Sequence, residues 1–201
     1  MGGTARRRFG PRRVRVHGKY IDLPHTWFTT HPVQQPSPEI WIAGNSPQTQ
    51  KRAARGGHPL FVTGFGQDSA ALARLRSEAE EALAGVGRDP GSLRLGTLRY
   101  CFVTDDSNEA LTFAENARYQ LRLSRYLRQG QTELDGAWLP EEAYDGEMSP
   151  EDIVAWNPIG DPQTVAETLI EEIRGVGPTH IALYMTIAAV DHGQVVRSIE
   201  R

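Results

Sequence analysis

The tetrapeptide Gly44-Asn45-Ser46-Pro47 combines residue types that favour a bound anion. Glycine lets the backbone approach a ligand closely, serine caps a helix, and proline suits the first helical position while the N–H groups beyond it stay free. Those donors and the positive end of the helix dipole can hold a phosphate. An ordinary capped helix start uses the same residues, so the reading depends on where the turn sits in the fold. Gly64-Phe65-Gly66 invites comparison with a dinucleotide-binding loop. Its third glycine position holds Ser69, however, and no acid follows at a strand end about 20 residues on. It is read as a flexible loop.

Other reactive side chains are scattered. None of His17, His25, His31, His58, His180 and His192 pairs with another histidine at the short helical spacing of a metal site, so no metal is expected. His25 and His31 fall in a proline-rich connector, where exposure is the default. Asp105 and Asp106 end an apolar run and could exchange protons, but helix capping accounts for them more simply. Cys101 is the single cysteine and lies within that run, which excludes a disulfide framework and favours a buried, inert thiol. No catalytic residue emerges.

The elements that position these residues follow from periodicity. Val14 to Leu23 alternates loosely around His17-Gly18 and predicts a short hairpin, followed by a connector from Pro24 to Pro38. Strands are expected at Glu39–Gly44, Leu60–Thr63, Leu93–Thr104 and His180–Met185. Between them lie a helix from Pro47 to Arg55, one carrying Leu72, Leu75, Ala79, Leu83 and Val86, and one carrying Ala110, Ala114, Ala117 and Leu121. A last helix opens at Gly160-Asp161-Pro162 with Val165, Leu169, Ile173 and Val176 as its buried stripe, and Gly130 to Ser149 reads as irregular. Strands alternating with helices mean an α/β parallel sheet, either doubly wound or part of a barrel, with ligands at the C-terminal strand ends.

Composition sets outer bounds. The 201 residues, 39% hydrophobic, are enough for one sizeable core. No run approaches the roughly 20 apolar residues of a membrane span, and a cytoplasmic protein is expected. Arg6, Arg7, Arg8, Arg12, Arg13, Arg15 and Lys19 precede the first acid, Asp22, although the net charge is −3. Residues 1–13 are read as a disordered basic segment, residues 14–201 as the folded domain. With no aromatic interleaving beyond Phe9 and no reader motif, that segment is not read as a nucleic-acid arm.

Pro38-Glu39-Ile40-Trp41-Ile42-Ala43-Gly44-Asn45-Ser46-Pro47, with Arg52-Ala53-Ala54-Arg55-Gly56-Gly57, resembles the fifth strand and following helix of luciferase-like monooxygenases. Val16-His17-Gly18-Lys19-Tyr20 and Pro32-Val33-Gln34 resemble the hairpin and connector that precede that strand. Phe102-Val103-Thr104-Asp105 with Glu109-Ala110 is similar to the seventh strand and its helix, and Ile159-Gly160-Asp161-Pro162 with Val165-Ala166 to the last helix start. The resemblance runs from Val14 to the C-terminus. It implies a (β/α)8 TIM-barrel type of fold, of which only about the C-terminal four βα units are present, and a flavin-dependent oxidoreductase or monooxygenase acting on a small organic substrate. It also implies that Gly44, Asn45 and Ser46 help hold the phosphate of the cofactor, reduced FMN or a deazaflavin coenzyme. Gly57-His58-Pro59-Leu60 departs from the Asp-Gly-Trp of many deazaflavin-dependent members, which favours FMN.

A complete barrel needs roughly 250 residues, so the chain is expected to be a C-terminal fragment whose Arg-rich start is a junction and whose end stops short of the family's usual apolar tail. An open half barrel exposes two strand edges, so a homo-oligomer is expected. Two function classes follow: part of an enzyme that needs the other half of its barrel, or a non-catalytic half barrel that binds a flavin or another phosphorylated ligand, or only self-associates.

Overall fold

The computed structural model describes residues 14–27, 33–130, 136, 142–187 and 189–201. The basic cluster from Arg6 to Arg13, His31, Pro32 and part of the stretch from Gly130 to Ser149 lie outside the described residues. Strands β1 (Val14–His17) and β2 (Asp22–Thr26) form the expected antiparallel hairpin, with His17 opposite Asp22. The hairpin continues into the proposed connector, because Pro24 lacks only a donor that a two-stranded ribbon does not require.

Four strands then lie side by side in chain order: β3 (Ile42–Ala43), β4 (Leu60–Thr63), β5 (Leu95–Tyr100) and, after an excursion, β8 (His180–Tyr184). Every neighbouring pair is parallel. That order is the one expected of consecutive barrel strands, and it excludes the doubly wound alternative. Helix α1 (Pro47–Gly56) joins β3 to β4, and α2 (Ser69–Ala84) joins β4 to β5. Their apolar faces bury Ala53, Leu72 and Ala79 against Leu60, Val62 and Leu95, an arrangement driven by removal of apolar surface from water.

Three expected strands differ from their predicted bounds, the last only in ending at Tyr184 instead of Met185. The run Glu39–Gly44 yields only β3, because its ladder begins with the Ile42 N–H on the Pro59 carbonyl (3.0 Å) and ends with the Gly44 N–H on that of Phe61 (2.9 Å). The run Leu93–Thr104 divides at Cys101. Its first part is β5, whereas Phe102–Val103 forms β6 and pairs in parallel with β7 (Ile159–Gly160) in a separate two-stranded sheet. Both faces of β5 are buried, as the apolar run predicts.

A second core gathers around α3 (Ser107–Gln129), where Ala110, Phe113, Ala114 and Ala117 pack on Tyr100, Phe102 and Ile159 and on Ile153 of α4 (Pro150–Trp156). Helix α5 (Pro162–Gly175) precedes β8, and α6 (His192–Ile199) follows it. On α5 the stripe is corrected: Val165 is buried, but Ile173 is 52% exposed, and the residue turned into the protein is Glu172. Among the described residues, no helix is long and apolar enough to cross a membrane.

Cys101 sits fully buried where the chain passes from one sheet to the other, and burial pushes its thiol up to about 11. Alkylation of the native protein at pH 8 is therefore expected to be negligible and to become rapid in urea; rapid native labelling would refute the placement. Because the folded value lies above the ordinary 9.0, this contribution to stability is complete below that pH and is lost as the pH rises to about 11.

Candidate functional site

At the C-terminal end of β3 the chain reverses into α1 through the residues singled out above. Gly44 has φ +136°, and a Cβ there would lie 3.2 Å from both Cγ2 and Oγ1 of Thr49. Asn45 turns back along the sheet. Its Oδ1 accepts from the Thr63 N–H (2.8 Å), and its Nδ2 donates to the Thr63 carbonyl (2.7 Å). The amide thus fastens the turn to the end of β4. Ser46 is the N-cap, its Oγ accepting from the Thr49 N–H (3.2 Å) and lying 2.9 Å from the Thr49 hydroxyl. Pro47 fills the first helical position, so the N–H groups of Ser46 and Gln48 have no intrahelical acceptor. From below, buried Gln50 donates to the Asn45 carbonyl (3.4 Å) and to Glu78 of α2 (3.2 Å).

Gly44, Asn45 and Ser46 are therefore brought together, but with different roles. The Asn45 side chain is occupied by Thr63, whereas the Ser46 and Thr49 hydroxyls form an exposed to half-buried pair at the helix start. Thr49 was not singled out from the sequence. A signal was present: Pro47-Gln48-Thr49 recurs as Pro162-Gln163-Thr164, each preceded by a capping residue and, just before the turn, a glycine.

The second copy of this arrangement is a natural control. Gly160 has φ +144°, and a Cβ there would lie 3.2 Å from Thr164 Cγ2. Asp161 caps α5, accepting from the N–H groups of Gln163 (2.9 Å) and Thr164 (3.0 Å) and from the Thr164 hydroxyl (2.7 Å). The bonds from Thr164, its hydroxyl foremost, hold the Asp161 carboxyl below its usual range. There the chain's own carboxylate caps the helix N–H groups. At Ser46 the cap is neutral, and α1 has no acid in its first turn.

The loop Gly64-Phe65-Gly66 is not free, contrary to the expectation of flexibility. Arg99 of β5 donates from Nη1 to the carbonyls of Gly64 and Gln67 and from Nη2 to that of Trp156, while Asn157 donates to the Phe65 carbonyl (3.1 Å). The Phe65 ring stacks on Tyr100, with centroids 3.9 Å apart. Arg99 is itself held by Glu172, with Nε 3.1 Å from Oε2, and Oε1 of Glu172 accepts from Thr97 (2.7 Å). Both members of this pair are almost wholly buried. Desolvation pulls the Arg99 pKa down, and the Glu172 charge opposes that pull.

The remaining candidates are not brought to this site. Asp106 caps α3 through the N–H groups of Asn108 and Glu109, and Asp105 pairs with Arg201. His25 is exposed on β2, and His180 packs edge-on against Trp41, with centroids 4.9 Å apart. No group of three His, Cys, Asp or Glu residues suited to a metal occurs among the described residues.

A family model described as luciferase-like monooxygenase matches residues 4–180. The uncharacterized protein y4vJ of Sinorhizobium fredii is 34% identical over 184 residues, covering 91% of this chain and 52% of that protein. Among solved structures, monooxygenase RslO1 from Streptomyces bottropensis superposes with TM-score 0.68 at 19% identity, over 97% of this chain and 55% of that one. The oxygenating constituent of 3,6-diketocamphane monooxygenase from Pseudomonas putida, in complex with FMN, gives 0.57 at 20% identity, over 89% and 53%. The coenzyme F420-dependent tetrahydromethanopterin reductase of Methanopyrus kandleri gives 0.57 at 16% identity, over 94% and 56%. The chain thus spans about half the length of the proteins it matches.

Proposed function

Because this chain belongs to the luciferase-like monooxygenase family, we propose that it is the phosphate-holding C-terminal half of a cytoplasmic, flavin-dependent oxidoreductase or monooxygenase. Its partners in this reading are the cofactor, a small organic substrate and further copies of the chain. The observation that carries it is the Gly44-to-Thr49 turn. Two hydroxyls and free helix N–H groups meet at the C-terminal end of a parallel strand, under a neutral cap, where the equivalent turn at Asp161 carries its own carboxylate. The residues fit a phosphate monoester: Gly44 leaves the backbone open to it, Ser46 and Thr49 donate to it, and Asn45 keeps the turn in register with β4.

FMN is the cofactor favoured here, with a deazaflavin as the alternative; the solved relatives include an FMN complex and an F420-dependent enzyme. The flavin would supply the redox chemistry. This chain's own residues would anchor its tail and fix the direction in which the ring enters the barrel.

The test compares FMN with riboflavin, which lacks the phosphate. In the wild-type chain, amide resonances of Ser46, Gln48 and Thr49 should shift on adding FMN and stay in place with riboflavin. Ser46→Ala removes a donor to a charged acceptor. It should cost about 1.5–3 kcal/mol of FMN binding, roughly ten- to hundred-fold in dissociation constant. Equal responses to the two flavins would return the turn to an ordinary helix cap and favour the non-catalytic reading.

A further inference from the structure

We infer that Arg99 on β5 is a positioning residue for the Gly44-to-Thr49 turn and acts on it through Gly64 and Thr63. The inference rests on the phosphate reading of that turn and adds the group that keeps the turn in register. Every link is a contact between described residues, and Arg99 itself is buried, at 1% exposure. The turn is fastened to the sheet by the Asn45 amide, which forms a reciprocal pair of bonds with the N–H and carbonyl of Thr63. Thr63 is the last residue of β4, so this pair is only as fixed as the end of that strand. Gly64 comes next, and glycine restricts the backbone least. Its N–H donates to the Leu98 carbonyl (2.9 Å), and its own carbonyl accepts from Arg99 Nη1.

Two features show that this grip is built into the fold. Gly64 leaves no room for a side chain, since a Cβ there would lie 2.6 Å from Arg99 Nη1 and 2.9 Å from its Cδ. The guanidinium also reaches the carbonyls of Gln67 (2.9 Å) and Trp156, so one planar fork holds both ends of the loop after β4 and the end of α4. Glu172 balances the charge from α5, and Thr97 donates to Glu172 in turn. A buried ion pair often adds little stability over apolar residues of the same volume. What this one adds is a fixed direction for three carbonyls, and through Gly64 a fixed seat for Asn45 and the Ser46 and Thr49 hydroxyls beyond it.

Flavin titration and amide exchange on the full chain test it. Arg99→Lys keeps a charge beside Glu172 but lacks the fork that reaches three carbonyls, and Gly64→Ala displaces the guanidinium sterically. In both variants the preference for FMN over riboflavin should fall about fivefold or more, the lower end of couplings between sites. Riboflavin affinity should stay near wild type. Without flavin, the Asn45 side-chain amide protons should exchange faster in both. Phe113→Leu, a loss of volume in the second core, should lower stability and leave both readouts unchanged. A preference kept in both variants, or an unchanged Asn45 amide, would overturn the inference and leave the phosphate reading intact. Loss of the preference in Phe113→Leu as well would overturn it in favour of a general effect of stability. A wild type that binds the two flavins equally would overturn the phosphate reading and this inference with it.

Discussion

Replacing Glu172 by alanine is expected to cost about 3–5 kcal/mol of folding stability, since it strands the buried Arg99 guanidinium without a counter-charge. Thr97 would lose its acceptor as well, and the three carbonyls gathered by Arg99 would be held by an unbalanced charge. Urea unfolding measures the loss. Replacing the pair together, as Arg99→Met with Glu172→Leu, should recover part of the stability, because well-packed apolar side chains often match a buried ion pair. The double variant should still release the loop from Gly64 to Gln67, seen as faster amide exchange there. A loss below about 1 kcal/mol for Glu172→Ala would place the pair among exposed salt bridges, contrary to its burial.

Gly44→Val should remove the distinction between FMN and riboflavin altogether. At φ +136° a β-branched residue is strained, and its Cβ would crowd Thr49, one of the two hydroxyls assigned to the phosphate. Backbone strain of this kind costs about 1–3 kcal/mol. The turn is expected to relieve it by tilting away from β4, which breaks the reciprocal pair of bonds between Asn45 and Thr63. Binding of FMN and riboflavin to the variant, followed side by side, reads the effect. A variant that still prefers FMN would show that the phosphate is held elsewhere.

Much of this architecture was legible in the sequence because it is local. The apolar run at Leu60–Thr63, the cap at Ser46 with Pro47, and the stop at Gly57, which takes φ +64°, each follow from neighbouring residues. The resemblance placed Gly44, Asn45 and Ser46 on one turn, and the structure puts them there. Features that depend on distant partners were not legible. Nothing near Asn45 announces that its amide will meet Thr63, and nothing near Glu172 announces Arg99, a residue 73 positions earlier in the chain. Helical periodicity counted Ile173 as core because it reads hydrophobicity, whereas the buried position one residue earlier belongs to a charged side chain that only its partner explains. The split of one apolar run into β5 and β6 likewise depends on β7, which lies more than 50 residues downstream.

Trp41, the residue just before β3, packs on His180 of β8 and so ties the two outer strands of the sheet by a chord instead of along the arc. A curved sheet of four strands would otherwise be free to flatten and regain conformational entropy. With the chord in place the curvature is set within these four strands, so joining the rest of a barrel would have little ordering left to do. Tryptophan emission from position 41 should report that state in solution, since flattening would part the indole from the imidazole and expose it to water.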